Sequence, residues 1–320
     1  MARILLTGGS SFTGLWIAEA LAKDGHEVTA VLRREVSDYR GLRAERVERL
    51  AQVAARVVSQ APIASARFQA LASEGFDLLA HHAADIAGYR SADYDVVDGM
   101  NRNLEGVQAA FDAHARSGGR AVIATGTAFE AGEGGGETGD LAVSPYGLSK
   151  HLTNEAMRHY ARWRGLAFGK FVIAGPFGPM EEGRMCWSLF QRWFKGEVGV
   201  VRTPRYVRDN IPVPLLARAY ASFASCLVGA AAGADHIARP SGYVGPQEGF
   251  ALRLAREMAP RLGLACAVET LAQPHLAEPL VRVNDQPAFF PGWPEEAFWD
   301  EYARYYQRLA DSGLLEASSA

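Results

Sequence analysis

Short apolar runs alternate with amphipathic segments through the first half of the chain. Residues 4–6, 28–32 and 121–124 are apolar stretches of strand length, and helical patterns separate them. The first helical pattern covers residues 15–22 and stops at Gly25, where glycine is typical of a helix C-terminus. Alternating strands and helices predict an α/β fold, a Rossmann-type doubly wound parallel sheet.

Further segments extend this alternation. Residues 40–72 predict helix around a short strand near Val57, residues 76–80 predict a strand, and residues 103–115 predict a helix. Ser144 suits an N-cap and Pro145 a first helical position, so we expect a helix from there to about residue 164. Residues 131–140 carry five glycines and three acids, which indicates a surface loop, either closing over a ligand or simply solvated.

The amino-acid composition changes near residue 175, where prolines and aromatic residues become frequent. We therefore predict two domains. Residues 1–170 form a dinucleotide-binding domain to which some later segments return, and residues 171–320 form mainly a smaller substrate-binding lobe.

Composition narrows the class of protein. The 320 residues carry a net charge of −3 without a basic run, so we expect no nucleic-acid partner. No apolar run reaches membrane-spanning length and no signal peptide is recognised, which predicts a cytoplasmic protein without a membrane partner. The three cysteines lack paired spacing, and no His or Cys set has metal-ligand spacing, so no metal is expected.

A glycine-rich turn joins the first strand to the first helix. Glycine lets the backbone approach a pyrophosphate, whose charge is stabilised at a helix N-terminus. The turn is therefore predicted to bind a dinucleotide through Thr7, Gly8, Ser10, Ser11, Phe12, Thr13 and Gly14.

The end of the second strand predicts which dinucleotide binds. An acid there would accept hydrogen bonds from the ribose hydroxyls of NAD, but the strand ends in Arg33 and Arg34. Two guanidinium groups suit the extra phosphate of NADP, so NADP is expected and NAD is the less favoured alternative.

Tyr146 and Lys150 are the strongest catalytic candidates. Their spacing of four places both side chains on one face of a helix. An ammonium beside a phenol is expected to lower the pKa of the tyrosine, which could then exchange a proton with a substrate oxygen. Thr125, at the end of the fifth strand, completes the set.

In this order, the motifs resemble those of the extended short-chain dehydrogenase/reductase family, also called the NAD-dependent epimerase/dehydratase family. The resemblance covers about residues 2–220. It rests on the turn over residues 7–14, His81-His82-Ala83-Ala84, Asn103, Thr125, Tyr146 with Lys150, the segment at 176–179, and Arg208 within residues 208–213.

The resemblance implies a role for each matching residue. Tyr146 is the general acid/base, Lys150 binds the nicotinamide ribose, and Thr125 hydrogen-bonds the reacting oxygen. Asn103 is similar to a helix-bending asparagine of the catalytic set. The remaining assignments are cofactor contacts by His82, Ala83 and Ala84, and substrate contacts by Thr127 and Arg208, the latter to the phosphates of a sugar nucleotide.

Three positions depart from the family pattern. Ser11 replaces a turn glycine, residues 60–63 replace an acid near the third strand, and Gly175 replaces an asparagine. Gly126 and Thr127 follow Thr125 where sugar dehydratases carry an Asp-Glu pair, and neither can move a proton near neutral pH.

These features favour an NADP(H)-dependent reductase of a nucleotide-activated keto sugar, similar in residues 125–129 to 4-keto-6-deoxyhexose reductases. The alternatives are an NAD-dependent nucleotide-sugar 4-epimerase, a reductase of a non-nucleotide ketone, and a non-catalytic NADP-sensing protein. The resemblance also implies a homodimer formed through the helices that carry Asn103 and Tyr146.

Overall fold

The computed structural model describes residues 1–135 and 141–317, and the side chains to residue 315. The strands are β1 Arg3–Thr7, β2 Glu27–Val31, β3 Arg56–Val58, β4 Leu78–His81, β5 Ala121–Thr127, β6 Ala167–Ile173, β7 Gly175–Phe177, β8 Gly199–Val201, β9 Val207–Pro212, β10 Asp235–Ala238, β11 Pro240–Ser241, β12 Tyr243–Pro246, β13 Val268–Thr270, β14 Val281–Arg282 and β15 Gln286–Pro287.

The helices follow the same pattern of alternation in the first half of the chain. They are α1 Phe12–Lys23, α2 Gly41–Val53, α3 Ala66–Ala72, α4 Val96–Leu104, α5 Val107–Arg116, α6 Pro145–Trp163, α7 Met185–Phe194, α8 Val213–Val228, α9 Gln247–Leu262, α10 Glu295–Asp311 and α11 Leu314–Ala317. A 3₁₀ turn covers Val36–Asp38.

Seven parallel strands form the main sheet in the order β3-β2-β1-β4-β5-β6-β10. The chain starts at β1 and winds outward in both directions, so the predicted doubly wound α/β sheet is confirmed. The strand order reverses between β1 and β4. In open sheets of this kind, ligands bind at the carboxyl ends of the strands beside such a reversal.

Two apolar clusters cover the two faces of the main sheet. One cluster includes Leu15 of α1, Leu216 of α8 and Trp299 of α10, whereas the other includes Phe68 of α3, Phe111 of α5 and Met157 of α6. Burial on both faces explains why the strands are continuous apolar runs rather than alternating ones.

The second lobe is built from short strands and from α7, α9 and α10. β9 pairs with β12, β14 and β7, and β8 pairs with β13. The predicted boundary at residue 170 falls inside β6, and β10 joins the main sheet beside β6. The two-domain division stays a prediction.

The single helix predicted over residues 103–115 is wrong, because the chain breaks it at Glu105. α4 ends at Leu104 and α5 begins at Val107. Gly106 between them has a φ of 76°, and a Cβ there would collide with the backbone of Ala64. The break is therefore set by packing against a distant segment.

The predicted surface loop at 131–140 is described only to residue 135, and residues 136–140 lie outside the described part of the chain. Its first residues are anchored rather than solvated, since Glu133 is buried and the Gly134 carbonyl accepts a hydrogen bond from the Val283 backbone. Within the described ranges, no helix is both long and apolar enough to cross a membrane. The cytoplasmic location stays a prediction.

Candidate active site

The glycine-rich turn closes through Ser11, the residue that replaces a family glycine. The Ser11 hydroxyl donates to the carbonyl of Gly8 at 2.8 Å and accepts from the backbone N–H of Gly14 at 3.1 Å, which caps α1. A Cβ on Gly14 would overlap the Gly8 carbonyl oxygen. The turn is compact, and the N-terminus of α1 lies at the carboxyl edge of the sheet.

β1 and β4 meet at this edge through Thr7 and His81, which are paired residues of the two strands. The Thr7 hydroxyl lies 3.1 Å from Nδ1 of His81 and accepts a hydrogen bond from the backbone N–H of Ala83 at 3.0 Å. Gly8 has a φ of 78°, and a Cβ there would come within 2.8 Å of the Ala83 nitrogen. The two strand ends therefore leave room only for glycine at position 8.

His82 links the turn to Thr125. Its Nε2 lies 2.9 Å from the hydroxyl oxygen of Thr13, and its Nδ1 lies 2.9 Å from the hydroxyl oxygen of Thr125. Burial and, secondarily, the charge of Lys150 lower the pKa of His82 to about 4, so the imidazole is neutral at physiological pH.

The residues at this edge fit a dinucleotide. Gly8 and Gly14 leave no room for a Cβ, so the turn presents bare backbone at the N-terminus of α1, where the first-turn N–H groups of a helix favour an anion. Ala83 and Ala84 are exposed beside the turn. Arg33 and Arg34 follow β2 and are exposed, and neither guanidinium pairs with a carboxylate among the described residues.

Tyr146, in the first turn of α6, lies within a group of aromatic rings. The ring centroids of Tyr89, Tyr94 and Phe129 are 5.5, 5.8 and 6.4 Å from its own. Burial raises the pKa of Tyr146 well above its ordinary value, and the negative charge of Glu130 adds to the rise. The positive charge of Arg184 opposes this rise.

The expected lowering of the Tyr146 pKa by Lys150 is therefore wrong for this structure. The physical reason is desolvation, since the phenol is enclosed by Tyr89 and Tyr94 from the segment after β4. Lys150 is itself buried, and burial lowers the pKa of its ammonium while Glu130 opposes that shift.

Sequence reasoning missed an ionic cluster in which Glu130, Glu133 and Lys170 are buried and Arg239 is half-buried. Nζ of Lys170 lies 2.7 Å from a carboxylate oxygen of Glu130 and 2.9 Å from one of Glu133, and Arg239 lies 2.6 Å from Glu133. A lysine in the apolar run of β6 is the signal that could have pointed to it.

Glu130 also ties the end of β5 to α6. Its carboxylate accepts hydrogen bonds from the Thr127 backbone at 2.8 Å and from the Asn154 amide at 2.9 and 3.0 Å. Asn154 lies one turn after Lys150 on α6. Thr127, a predicted substrate contact, is the last residue of β5. The hydrogen bond to Glu130 therefore fixes its backbone.

Asn103 is buried near the end of α4. Its amide nitrogen donates to the Gly99 carbonyl at 2.8 Å, and its amide oxygen accepts from the backbone N–H of Asp85 at 2.7 Å. It therefore joins α4 to the segment after β4, the same segment that supplies Tyr89 and Tyr94.

Arg208 on β9 is buried and already paired. One nitrogen donates to Glu278 at 3.0 Å, and another donates to backbone carbonyls including that of Leu280 at 3.0 Å. Arg282, which the sequence analysis did not single out, is its partner in the β9–β14 register, and Nη1 of Arg282 lies 3.3 Å from the same Glu278 carboxylate.

Arg282 and Arg184 bring two further cations toward Tyr146. The guanidinium of Arg282 lies 3.6 Å from the centroid of Phe129, whose ring contacts Tyr146. Arg184 is exposed before α7, donates to the Pro176 carbonyl at 3.1 Å and lies 5.8 Å from the centroid of Phe12. Neither arginine lies in a motif that sequence spacing could single out.

Among the described residues, no group of three His, Cys, Asp or Glu side chains is arranged to hold a metal ion. Cys186, Cys226 and Cys266 are free, and Cys226 is exposed.

Solved structures with the same fold are numerous. The chain superposes on the UDP-glucose 4-epimerase of Thermotoga maritima with a TM-score of 0.71 and 18% identity, covering 96% of this chain and 99% of the other. For the dTDP-glucose 4,6-dehydratase of Streptomyces venezuelae, the TM-score is 0.71 and the identity 19%, covering 99% and 100%. These similarities confirm the fold.

A third similar structure is the UDP-N-acetylglucosamine 4-epimerase of Methanobrevibacter ruminantium, with a TM-score of 0.72, 18% identity, and coverage of 96% of this chain and 98% of the other. A comparison of the sequence with curated proteins gives no match. The family model described as NAD dependent epimerase/dehydratase family matches residues 4–222, which is more than half of the chain. The chain therefore belongs to the NAD-dependent epimerase/dehydratase family, whose members are NAD(P)-dependent enzymes of the extended short-chain dehydrogenase/reductase type.

Proposed function

We propose that this enzyme reduces a keto group of a nucleotide-activated sugar, such as a 4-keto-6-deoxy sugar, with NADPH. The proposal rests on which side chains are free to transfer a proton. Tyr146 lies at the carboxyl edge of the sheet, while Glu130, the carboxylate that acts on it, is fully buried and engaged by Lys170, Asn154 and the Thr127 backbone. One available acid suits the single proton transfer of a reduction better than a dehydration.

Each predicted catalytic residue has a role in this reaction. The bound nicotinamide supplies the hydride. The Tyr146 hydroxyl gives its proton to the substrate oxygen, and its raised pKa keeps that proton in place until the oxygen becomes strongly basic. Thr125 hydrogen-bonds the same oxygen. Lys150 contacts the nicotinamide ribose, and Asn103 holds α4 against the segment that encloses Tyr146.

The preference for NADP over NAD is supported by Arg33 and Arg34. Both are exposed after β2 and unpaired with carboxylates in the described chain, so both can bind the additional phosphate bidentately. Binding of the pyrophosphate is assigned to the backbone of residues 8–14 and the N-terminus of α1.

Arg208 and Arg282 support an anionic substrate. Two adjacent guanidinium groups suit the diphosphate of a sugar nucleotide, and Glu278 is the anion that they bind in this structure. Burial and the charge of Arg208 lower the pKa of Arg282 to about 10 although Glu278 opposes the shift, so a second anion at this site would stabilise both charges.

An NAD-dependent nucleotide-sugar 4-epimerase is the second candidate. The similar structures include 4-epimerases of UDP-glucose and UDP-N-acetylglucosamine, and an epimerase also needs one tyrosine acid/base. Arg33 and Arg34 favour the reductase, because an epimerase that retains NAD gains little from a second phosphate site.

We further propose a homodimer formed through α4 and α6. These helices pack against each other and carry exposed apolar side chains, Val97 on α4 and Leu148 and Leu152 on α6. Sedimentation of the wild type and of Leu152→Glu tests this proposal: a dimer that the substitution converts to a monomer supports it, and a monomeric wild type refutes it.

The reaction is tested by mixing the purified enzyme with NADPH or NADH and a set of nucleotide-linked 4-keto sugars and 4-hydroxy sugars. We expect stoichiometric oxidation of NADPH with a keto sugar. Interconversion of 4-hydroxy epimers with no net change in nicotinamide would instead establish the epimerase.

A further inference from the structure

The neighbours of Thr125 suggest how its hydroxyl is oriented. The register of β4 and β5 places His81 beside Ala124, so the following residues, His82 and Thr125, are also neighbours. The Thr125 hydroxyl oxygen is 2.9 Å from Nδ1 of His82, and Nε2 of His82 is 2.9 Å from the Thr13 hydroxyl oxygen. The three side chains form a continuous hydrogen-bonded chain from α1 to β5.

We propose that His82 is a positioning residue that directs the hydroxyl proton of Thr125 toward the reacting oxygen of the substrate. This inference rests on the proposed function, in which Thr125 hydrogen-bonds that oxygen. No family motif assigns the task to His82, whose predicted role was contact with the cofactor.

The donor and acceptor in each of these hydrogen bonds follow from counting protons. A threonine hydroxyl has one proton, and a neutral imidazole has one N–H and one acceptor nitrogen. If Thr125 donates to the substrate, its oxygen must accept from Nδ1–H of His82. Nε2 then has no proton and accepts from the Thr13 hydroxyl. One arrangement satisfies all three groups, and it requires the Nδ1–H form of His82.

The surroundings of His82 keep this arrangement in place. The ring is neutral because burial and the nearby ammonium of Lys150 disfavour a second positive charge. Thr13 lies in the first turn of α1, and Ser11 caps the N-terminus of that helix. The Thr13 end of the hydrogen-bonded series is therefore fixed to a capped helix. The same helix start is assigned to the cofactor pyrophosphate, which places cofactor binding and Thr125 orientation on one element.

The tautomer can be measured without any turnover. Nitrogen chemical shifts of ¹⁵N-labelled histidine distinguish Nδ1–H from Nε2–H, and the His82 signals are assigned by their loss in His82→Asn. In the enzyme saturated with NADP⁺, we expect the Nδ1–H form of His82. Finding the Nε2–H form would overturn the inference, since Thr125 would then donate to the histidine.

Variants test the consequence for catalysis. His82→Leu is expected to lower kcat about 10- to 100-fold with little change in KM or in cofactor affinity. His82→Asn places an amide near the Nδ1 position and should recover part of kcat, whereas His82→Gln places its amide near Nε2 and should recover less. Unchanged kcat in His82→Leu would overturn the inference.

His114→Gln is the matched control for a purely structural histidine. His114 is buried and contacts the carbonyl of Ala121 at 3.0 Å, at the opposite end of β5. We expect it to lower the melting temperature and to leave kcat unchanged. An enzyme that reduces no keto sugar would refute the proposed function, and the tautomer of His82 would still decide this inference.

Discussion

Arg208 and Arg282 lie side by side on the parallel strands β9 and β14, and both reach one carboxylate of Glu278. Arg208 is buried and Arg282 is half-buried, and two guanidinium groups that share a single carboxylate carry an excess positive charge. Phe129 lies between Arg282 and the Tyr146 ring, so the pair proposed to bind an anion adjoins the aromatic group around Tyr146.

Arg282→Gln is therefore expected to weaken binding of a nucleoside diphosphate by about 10- to 100-fold, the effect of losing a charge-assisted hydrogen bond. Glu278→Gln should act in the opposite direction, because it frees both arginines. Calorimetric titration with UDP and dTDP measures both effects. The exposed Arg202→Gln serves as the control, and equal affinities in Arg282→Gln and the wild type would contradict the assignment.

Replacing Arg33 and Arg34 by alanine should change the choice of cofactor. We expect the dissociation constant of NADPH to rise about 10- to 100-fold, because two phosphate contacts are lost, while that of NADH stays nearly constant. Quenching of protein fluorescence by each cofactor measures the constants. Arg67→Ala on α3 removes a comparable exposed charge and should leave both constants unchanged. Parallel losses for NADPH and NADH would argue against a second phosphate site.

Lys170→Met should destabilise the fold by about 3–5 kcal/mol, the usual result of removing one partner from a buried ionic group. Glu130 and Glu133 would remain buried with a shared negative charge. Urea unfolding at neutral pH gives the free energy, and Lys23→Met, at an exposed site on α1, controls for loss of a lysine. A change below about 1 kcal/mol would show that water already reaches the cluster.

Glu181 predicts a pH dependence of stability. Its carboxyl is fully buried beneath α10, where the hydroxyls of Tyr302 and Tyr306 donate to it, and burial raises its pKa to about 7. A raised carboxyl pKa means that the folded state holds its proton longer than the unfolded state. Stability from this group is thus complete below about pH 4.5 and declines as pH rises to about 7.

The decline amounts to about 3 kcal/mol, and Glu181→Gln should remove it. Unfolding free energies measured by urea at pH 5 and pH 8 give the comparison. The variant should be more stable than the wild type at pH 8 and closer to it at pH 5, whereas Glu48→Gln, at an exposed site of α2, should change neither. An equal effect at both pH values would mean that Glu181 does not titrate in this range.

The parts of the fold that sequence could predict are those set by local signals. The cap and proline at Ser144 and Pro145 gave the start of α6, and the glycine turn gave the junction of β1 and α1. These elements depend on residues a few positions apart, which a pattern can capture. The break at Gly106 could not be predicted in this way, because it is set by packing against Ala64 on a distant segment.

The parts that sequence could not predict depend on distant contacts. Arg282 joins Arg208 only through the pairing of β14 with β9, and Lys170 meets Glu133 only across the fold. The pKa of Tyr146 was predicted in the wrong direction for the same reason. The rings of Tyr89 and Tyr94 that desolvate it lie more than fifty positions away.

Tyr146→Phe removes one hydroxyl from the aromatic enclosure and leaves the packing in place. If Tyr146 protonates the substrate, kcat for reduction should fall by about 10²–10⁴-fold, while the dissociation constant of NADPH stays the same. Tyr160→Phe, which removes a hydroxyl from the same helix, should keep wild-type turnover. Steady-state kinetics with NADPH and a nucleotide-linked keto sugar decides the matter: a Tyr146→Phe enzyme that turns over like the wild type would mean that another group supplies the proton.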